Sequence, residues 1–152
     1  MKKLFFALAM TFVAIFGAHA QNTENAAVWN FAATYCVNEM NEMSDDIEEM
    51  FGAMGIDVDF KSFYEENTKT IVLDFTLDPA IWNLMANEQI MGMIRDELRK
   101  SYQQSYLNDE DFREAIDLMK SNNAKFSVRF SCIENGKLKN KEILITPANI
   151  IS

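Results

Sequence analysis

The chain has 152 residues, and 14 basic against 23 acidic side chains give it a formal net charge of −9. This length suits a single domain. The acidic excess argues against nucleic acid as a partner, because binding it needs a cationic surface that displaces phosphate counterions. It disfavours an anionic membrane surface for the same reason.

The first twenty residues (1–20) have the layout of a secretory signal peptide. Two lysines precede an apolar stretch over residues 4–17, and small residues at positions 18 and 20 form a cleavage site. We therefore predict cleavage between Ala20 and Gln21, and a mature domain of residues 21–152 that is secreted, in the periplasm or outside the cell. No later apolar run is long enough to cross a membrane, so no membrane span is expected after the signal is removed.

The mature chain lacks histidine, since the single histidine of the sequence, His19, belongs to the leader. This excludes Ser-His-Asp and Cys-His catalysis and every histidine-based metal site. The mature net charge is −11, from 12 basic and 23 acidic side chains; the excess lies in residues 21–86, whereas residues 87–152 hold ten of each. The distribution favours a solvated acidic surface. The alternatives are docking to a basic partner and weak Ca²⁺ binding.

Apolar residues recur at helical spacing from residue 26 to residue 51 and predict one long helix. Ser44, followed by two aspartates, is an alternative N-cap that would divide this segment into two helices. The period then changes to two. Residues 56–64 and 71–77 predict two strands joined by a short polar turn, which together form a β-hairpin.

Three helices are predicted after this hairpin. Asp78-Pro79 opens the first, because aspartate caps free backbone amides and proline suits the first helical position. The second starts near position 87 and the third near position 108. Alternation over residues 126–132 and the turn dipeptide Asn135-Gly136 then predict a second hairpin.

This order, α-ββ-ααα-ββ, predicts an α+β domain in which the two hairpins form an antiparallel four-stranded sheet with helices packed on one face. It is similar, in architecture only, to the tandem helix-plus-sheet units of secreted inhibitor proteins of the β-lactamase-inhibitor type. No motif matches that family, so the similarity implies neither an activity nor a site. The apolar sides of the elements predict one buried cluster, consisting of Phe60, Leu73, Phe75, Leu98, Phe112, Phe126, Val128 and Phe130.

A shift of 68 residues aligns the chain with itself. It places Glu66-Asn67 on Glu134-Asn135, and five of the fifteen residues 66–80 are identical to their counterparts. A tandem duplication of a helix-plus-hairpin unit explains this match, and so does the convergence of two similar hairpins on the same turn chemistry. Both interpretations predict the same architecture.

Cys36 and Cys132 are the only cysteines, and both lie on predicted inward faces. In an oxidising compartment, two adjacent thiols would be bonded. A disulfide between them would stabilise the domain by about 4–5 kcal/mol, because it closes a long loop. The alternative is two separate buried cysteines that act as small apolar residues. The sequence does not decide between the two.

Neither the methionines nor the carboxylates indicate a catalytic or metal site. Most of the eight methionines of the mature chain follow core spacing, which fits core filling better than Cu(I) binding, although a Met-lined groove also accepts apolar ligands. Asp57 and Asp59 share one strand face, a pattern compatible with glycoside hydrolysis or Ca²⁺ binding. Exposed acidic faces explain them more simply, so we expect no catalytic residue, metal or cofactor.

One face of the predicted sheet is left without helices and carries Phe63, Val72 and Arg129 among polar residues. These three form a candidate surface patch for a protein partner, and an ordinary solvated sheet face is the alternative. The sequence therefore favours a small exported binding module of unknown partner over an enzyme. The other candidates are a carrier that holds an apolar small molecule in a cavity lined by Met and aromatic residues and, less favoured, a carboxylate-based hydrolase.

Overall fold

The structure is a computed structural model that describes residues 26–151, with side chains from residue 29 onwards. The predicted signal peptide and its cleavage site between Ala20 and Gln21 lie outside the described residues. Six α-helices and one four-stranded sheet make up this part of the chain. In chain order they are α1 (Ala26–Glu42), α2 (Ser44–Ala53), β1 (Val58–Glu65), β2 (Thr70–Leu77), α3 (Pro79–Met85), α4 (Glu88–Asn108), α5 (Glu110–Ser121), β3 (Lys125–Glu134), β4 (Lys137–Ile145) and α6 (Pro147–Ile151).

The N-terminal helical segment is divided into two helices. Met43 lies between α1 and α2 with φ −91° and ψ 7°, and its amide donates to the carbonyl oxygens of Glu39 and Met40 at 3.2 Å. The prediction of one helix over residues 26–51 is therefore wrong, and the alternative of a break is confirmed. The capping residue differs from the predicted one, because Ser44 is the first residue of α2 and Met43 precedes it without a side-chain cap.

Capping side chains open the helices that follow the first hairpin. The Asp78 carboxylate accepts a hydrogen bond from the Ile81 amide at 2.9 Å, and Pro79 occupies the first position of α3. Asn87 and Asp109 cap α4 and α5 in the same way. The predicted starts of these helices are confirmed, since each cap satisfies an amide that has no partner within the helix.

The sheet has the strand order β1-β2-β3-β4. Both predicted hairpins are confirmed: β1 pairs antiparallel with β2, and β3 with β4, with Phe60 opposite Phe75 and Val128 opposite Ile143. However, β2 and β3 run parallel, so the prediction of a purely antiparallel sheet is wrong. The reason lies in the connection. Helices α3, α4 and α5 return the chain to the end of the sheet at which β2 begins, and a crossover of that length allows parallel pairing.

A short helix that the sequence pattern does not predict, α6, follows β4 and begins at Pro147, as α3 begins at Pro79. The order of elements is therefore αα-ββ-ααα-ββ-α, which corrects the predicted α-ββ-ααα-ββ. The described part of the chain, residues 26–151, consists of two halves with the same order of elements. The first unit covers residues 26–86 and the second unit residues 87–151, and each has two helices, a hairpin and a helix opened by proline.

The 68-residue shift also relates the ends of α2 and α5. Gly55 (φ 77°) and its counterpart Asn123 (φ 53°) both adopt the left-handed conformation, which is common just beyond helix C-termini. In both units the next amide donates to a carbonyl oxygen five residues back, at 3.0 Å from Ile56 and at 2.8 Å from Ala124. The two units therefore close their second helix with the same hydrogen bond.

The core lies on the face of the sheet that the helices cover. All eight residues of the predicted cluster are buried in it, which confirms that prediction. Phe75 joins several elements, because its ring centroid lies 5.0 Å from that of Phe51, 5.1 Å from that of Phe60 and 5.9 Å from that of Phe130. Helix α2 and three strands thus meet at one side chain.

Candidate functional site

Among the described residues, two openings lie at opposite ends of the sheet. One adjoins the start of β1 and the other the start of β3, and these two strands run in opposite directions. The first, the acidic cleft, has a volume of about 240 Å³ and is lined by Asp57, Val58, Asp59, Thr76, Leu77, Asp78, Pro79 and Ile133. The second, the basic groove, has a volume of about 400 Å³ and is lined by Lys120, Asn123, Ala124, Lys125, Thr146, Pro147, Ala148 and Ile151. Of the two, the basic groove has the volume of a small-molecule site, which is roughly 300–1,000 Å³.

The end of α5 and the start of β3 form one wall of the basic groove. Helix α5 stops at Ser121, and Asn123 turns the chain with a left-handed φ of 53°, which asparagine tolerates better than most residues. This turn leads from Lys120, in the last turn of α5, to Lys125, the first residue of β3. Both lysines consequently line the same opening.

The end of β4 and helix α6 form the opposite wall. Thr146 donates from its amide and its hydroxyl to the side-chain oxygen of Asn149, at 3.3 Å and 2.9 Å. Arg99 and Gln103 of α4 donate to the Asn149 carbonyl at 3.2 Å and 3.4 Å. These bonds hold α6 against α4 and keep this wall in one position.

The basic groove is a cationic site on an acidic chain. Within the described part of the chain, the ion pairs involve other cations, and no carboxylate pairs with Lys120 or Lys125. A third lysine lies nearby: Lys69 Nζ donates to the Asn122 carbonyl at 3.1 Å, and the Lys69 carbonyl accepts from the Lys125 amide at 3.1 Å. The three lysines thus lie close together beside the groove. This end of the sheet also carries Glu65, the last residue of β1, and Glu66 in the turn after it.

The rest of the groove lining is mainly apolar. Ala124 and Pro147 are buried, whereas Ala148 is exposed and Ile151 keeps 38% of its surface exposed. A ligand that covers these side chains removes apolar surface from water, which stabilises the complex. The groove offers apolar contact and two ammonium groups, which suits binding better than acid–base catalysis.

The acidic cleft contains Asp57 and Asp59, the two carboxylates that the sequence pattern singles out. Both are exposed, and the third carboxylate, Asp78, is engaged as the cap of α3. Among the residues that the structure describes, no group of three or more His, Cys, Asp or Glu side chains is arranged to hold a metal ion. A solvated acidic surface accounts for this cleft.

The interior of the domain contains a small enclosed space between the sheet and helices α2 and α3. Its volume is about 20 Å³, and its lining is Phe51, Ile56, Phe75, Leu77, Ile81, Met85 and Phe130. A space of this size holds at most about one water molecule, and an apolar lining keeps it dry. Aromatic and Met residues do meet here, but an apolar ligand does not fit between them.

The structure brings the predicted patch residues Phe63, Val72 and Arg129 together on the sheet face opposite the core. Phe63 and Val72 are cross-strand partners, and the Arg129 guanidinium lies 5.4 Å from the centroid of the Phe63 ring. Val72 is fully buried. Arg129 also pairs with Glu65 at 3.3 Å and with Glu142 at 3.0 Å. Partial burial opposes the charge, but hydrogen bonds to these carboxylates raise the pKa of Arg129 above its ordinary value.

Cys36 and Cys132 are both fully buried, and both are free thiols. The structure therefore has two separate buried cysteines, and the alternative of a disulfide between them is not realised in it. Burial, followed by the negative charge of Glu39, raises the pKa of the Cys36 thiol to about 12. Such a thiol is almost entirely protonated at neutral pH and is a poor nucleophile.

No sequence motif marks the basic groove, because its residues come from two segments, 120–125 and 146–151, that only the folded sheet brings together. The single sequence signal for it is the 68-residue shift, which places Asp57 on Lys125. That correspondence marks the two openings as counterparts, but it does not by itself show that residues 120–125 and 146–151 form one groove.

Comparison with protein-family models, with curated proteins and with solved structures gave no match for this chain. No helix among the described residues is long and apolar enough to cross a membrane. Function is therefore inferred from the residues and the geometry of the openings alone.

Proposed function

We propose that the protein is a small exported binding module, and not an enzyme, that takes its ligand in the basic groove. The observation that carries this proposal is the combination, in one opening of about 400 Å³, of apolar side chains with Lys120 and Lys125. Small-molecule sites are typically concave and mostly apolar, with a few polar groups that orient the ligand.

Features of the rest of the chain favour binding over catalysis. Once the leader is removed, the chain has no histidine, so the most common general base is missing. Among the carboxylates that are not fully exposed, two have structural partners next to the sheet. Asp74 accepts a hydrogen bond from Ser131 at 2.7 Å, and Glu48 accepts one from the Phe60 amide at 2.9 Å.

Other sites have less support as the ligand site. The enclosed space beneath α3 is about 20 Å³, which is too small for a carried apolar molecule. A protein partner that docks on Phe63, Val72 and Arg129 would find Val72 without accessible surface and Arg129 already paired with two carboxylates.

Export is tested by mass spectrometry of the protein isolated from its native host. We expect Gln21, free or cyclised, as the first residue, because the basic, apolar and small-residue zones before it come in the order that a signal peptidase requires. Protein that keeps Met1 and remains in the cytoplasm would contradict the exported part of the proposal.

Binding in the groove is tested by NMR titration of the mature protein with three amphiphiles that share one alkyl chain: decanoate, 1-decanol and decyltrimethylammonium. We expect at least one of them to shift the amide resonances of residues 120–125 and 146–151. Ala148→Trp, which fills the groove, should weaken these shifts. Leu84→Trp, at an exposed position of the first unit, is the control and should not. If all three probes leave the groove resonances unchanged, the assignment of the site is wrong.

A further inference from the structure

The basic groove and the acidic cleft occupy corresponding places in the two units but carry opposite charge. The 68-residue shift places Asp57 on Lys125 and Asp78 on Thr146, and each opening includes the proline that begins a short helix. The opening that follows from the same order of elements is thus acidic in the first unit and basic in the second. An anion is therefore repelled by the carboxylates of the acidic cleft and attracted by the lysines of the basic groove.

The loop that lines the groove has no free backbone amides for an anion. The amides of Asn123 and Ala124 donate to carbonyl oxygens of α5 at 3.1 Å and 2.8 Å, and the Lys125 amide donates to the Lys69 carbonyl at 3.1 Å. Phosphate groups are commonly held by such amides or by arginine, and no arginine is among the described residues of the lining. The remaining cationic donors are the ammonium groups of Lys120 and Lys125, which act as point charges and can balance a carboxylate.

The apolar part of the lining determines the rest of the ligand. Ala148 and Ile151 are exposed, and only apolar ligand atoms gain free energy by covering them. The aliphatic stems of the two lysines extend this apolar surface up to the ammonium groups. The groove therefore presents charge at one part and apolar surface at another, which matches a ligand with a charged head and an apolar chain.

We infer that the basic groove binds an amphipathic carboxylate of the fatty-acid class. The carboxylate is held by Lys120 and Lys125, and the alkyl chain lies along Ala148 and Ile151. This inference rests on the proposed function, because it names the ligand of the same groove. The acidic remainder of the chain adds specificity, since it repels the same anion from other exposed apolar residues.

Calorimetric titration of the mature protein tests the charge preference, with decanoate, 1-decanol, decyltrimethylammonium and inorganic phosphate as separate probes. We expect decanoate to bind most tightly of the four. The double variant Lys120→Gln/Lys125→Gln should weaken decanoate binding about tenfold, which is the effect of two surface ion pairs, and should leave 1-decanol binding unchanged. The control variant Lys137→Gln, at the exposed turn of the second hairpin, should bind decanoate as the wild type does.

The outcomes separate this inference from the proposed function. If decanoate and 1-decanol bind equally, and the lysine variant binds both as before, the groove has no preference for a carboxylate; the proposed function then stands and the inference fails. If inorganic phosphate displaces decanoate at equal concentration, the apolar chain contributes nothing and the inference fails. If no amphiphile binds the groove, both the inference and the proposed site are wrong.

Discussion

Burial controls the acid–base chemistry of single side chains in the core. Cys36 has no exposed surface, so water cannot solvate its thiolate, and Glu39 adds an unfavourable negative charge. Together these effects raise the pKa of the thiol from 9.0 to about 12. Tyr102, packed against Phe112 and Phe126, shows the same effect, because burial raises the pKa of its phenol. Both side chains therefore stay uncharged well into the alkaline range and serve in packing.

The free energy of unfolding is expected to fall in alkali because of Cys36. The unfolded chain ionises this thiol above its ordinary pKa of 9.0, whereas the folded chain keeps it protonated up to about pH 12. The unfolded state therefore loses the proton first, and rising pH favours unfolding within that interval. The contribution of Cys36 is complete below the interval and is lost within it, by at most about 1.4 kcal/mol per pH unit. Urea unfolding on either side of pH 9.0 measures the change.

Cys36→Ala is the matched variant for this measurement. It removes the thiol, and the cost of its smaller side chain is the same at every pH, so we expect it to lose less stability in alkali than the wild type. Equal losses would mean that Cys36 does not titrate in this way. Thiol titration of the unfolded, non-reduced protein should also find Cys36 and Cys132 both free, and blocked thiols would restore the disulfide alternative.

Side chains of helices α1 and α2 cover one edge of the sheet, the outer edge of β1. Asn41 of α1 donates to the Ser62 carbonyl at 2.8 Å and accepts from the Ser62 amide at 2.6 Å. Glu48 of α2 accepts from the Phe60 amide at 2.9 Å. These backbone groups of β1 face away from β2, and in an uncovered edge strand they would be free to pair with another chain. The two side chains take the place of a neighbouring strand.

Asn41→Ala is expected to destabilise the fold by about 1–3 kcal/mol, because it leaves two partly buried backbone groups of Ser62 without partners. Urea unfolding measures the loss, and hydrogen exchange at the Ser62 amide should become faster. The control is Asn38→Ala, at an exposed position of the same helix, because it makes the same change in helix propensity without removing a sheet contact. An unchanged exchange rate at Ser62 in the Asn41 variant would show that the side chain does not protect this edge.

Periodicity predicts most of the helices and strands, but it does not determine the direction in which β3 runs relative to β2. Phe126, Val128 and Phe130 face the core whether β3 runs parallel or antiparallel to β2, because side chains alternate with the same period in both cases. The direction depends on where α5 returns the chain, which is a property of the packed helices. For the same reason, the alternation predicts the hairpins and the buried cluster correctly and leaves the type of sheet undetermined.

The candidate sites are less predictable than the elements. Alternation places Phe63, Val72 and Arg129 on one face, and the structure has them in contact there. Their exposure depends on the conformations of neighbouring side chains, such as the stacking of Arg129 on Phe63, which no sequence period encodes. The basic groove combines residues 120–125 with residues 146–151, and only the completed sheet brings these two segments together.

The molecule as a whole has two units with one order of elements but with hairpins of opposite hand. Because β1 and β2 are antiparallel and β2 and β3 are parallel, β1 and β3 run in opposite directions. A half-turn about the normal to the sheet brings β3 into the direction of β1 and keeps the helices on the same side. After that half-turn, β2 lies to one side of β1, whereas β4 lies to the other side of β3. No rigid rotation therefore superposes the two units.

The two units also share one core and one sheet, so we expect that neither folds alone. Parallel pairing from Thr70 opposite Lys125 to Thr76 opposite Ser131 joins β2 to β3 along most of their length. The rings of Phe75 and Phe130, one from each unit, lie 5.9 Å apart. A single hairpin with its helices buries too little apolar surface for independent stability, since two-stranded sheets and chains of this size are marginal.

Separate expression of residues 21–86 and residues 87–152 tests this dependence. Each fragment alone should show no cooperative thermal transition by circular dichroism, because it exposes one strand of the central pair and half of the core. An equimolar mixture should regain a cooperative transition, since β2 and β3 can pair between fragments, and charges of −11 and zero on the two halves do not oppose their association. Phe75→Ala in the first fragment should abolish this recovery, whereas Phe31→Ala, at a position that is 72% exposed, should permit it. A fragment that melts cooperatively by itself, at the temperature of the intact protein, would show that the units are independent domains.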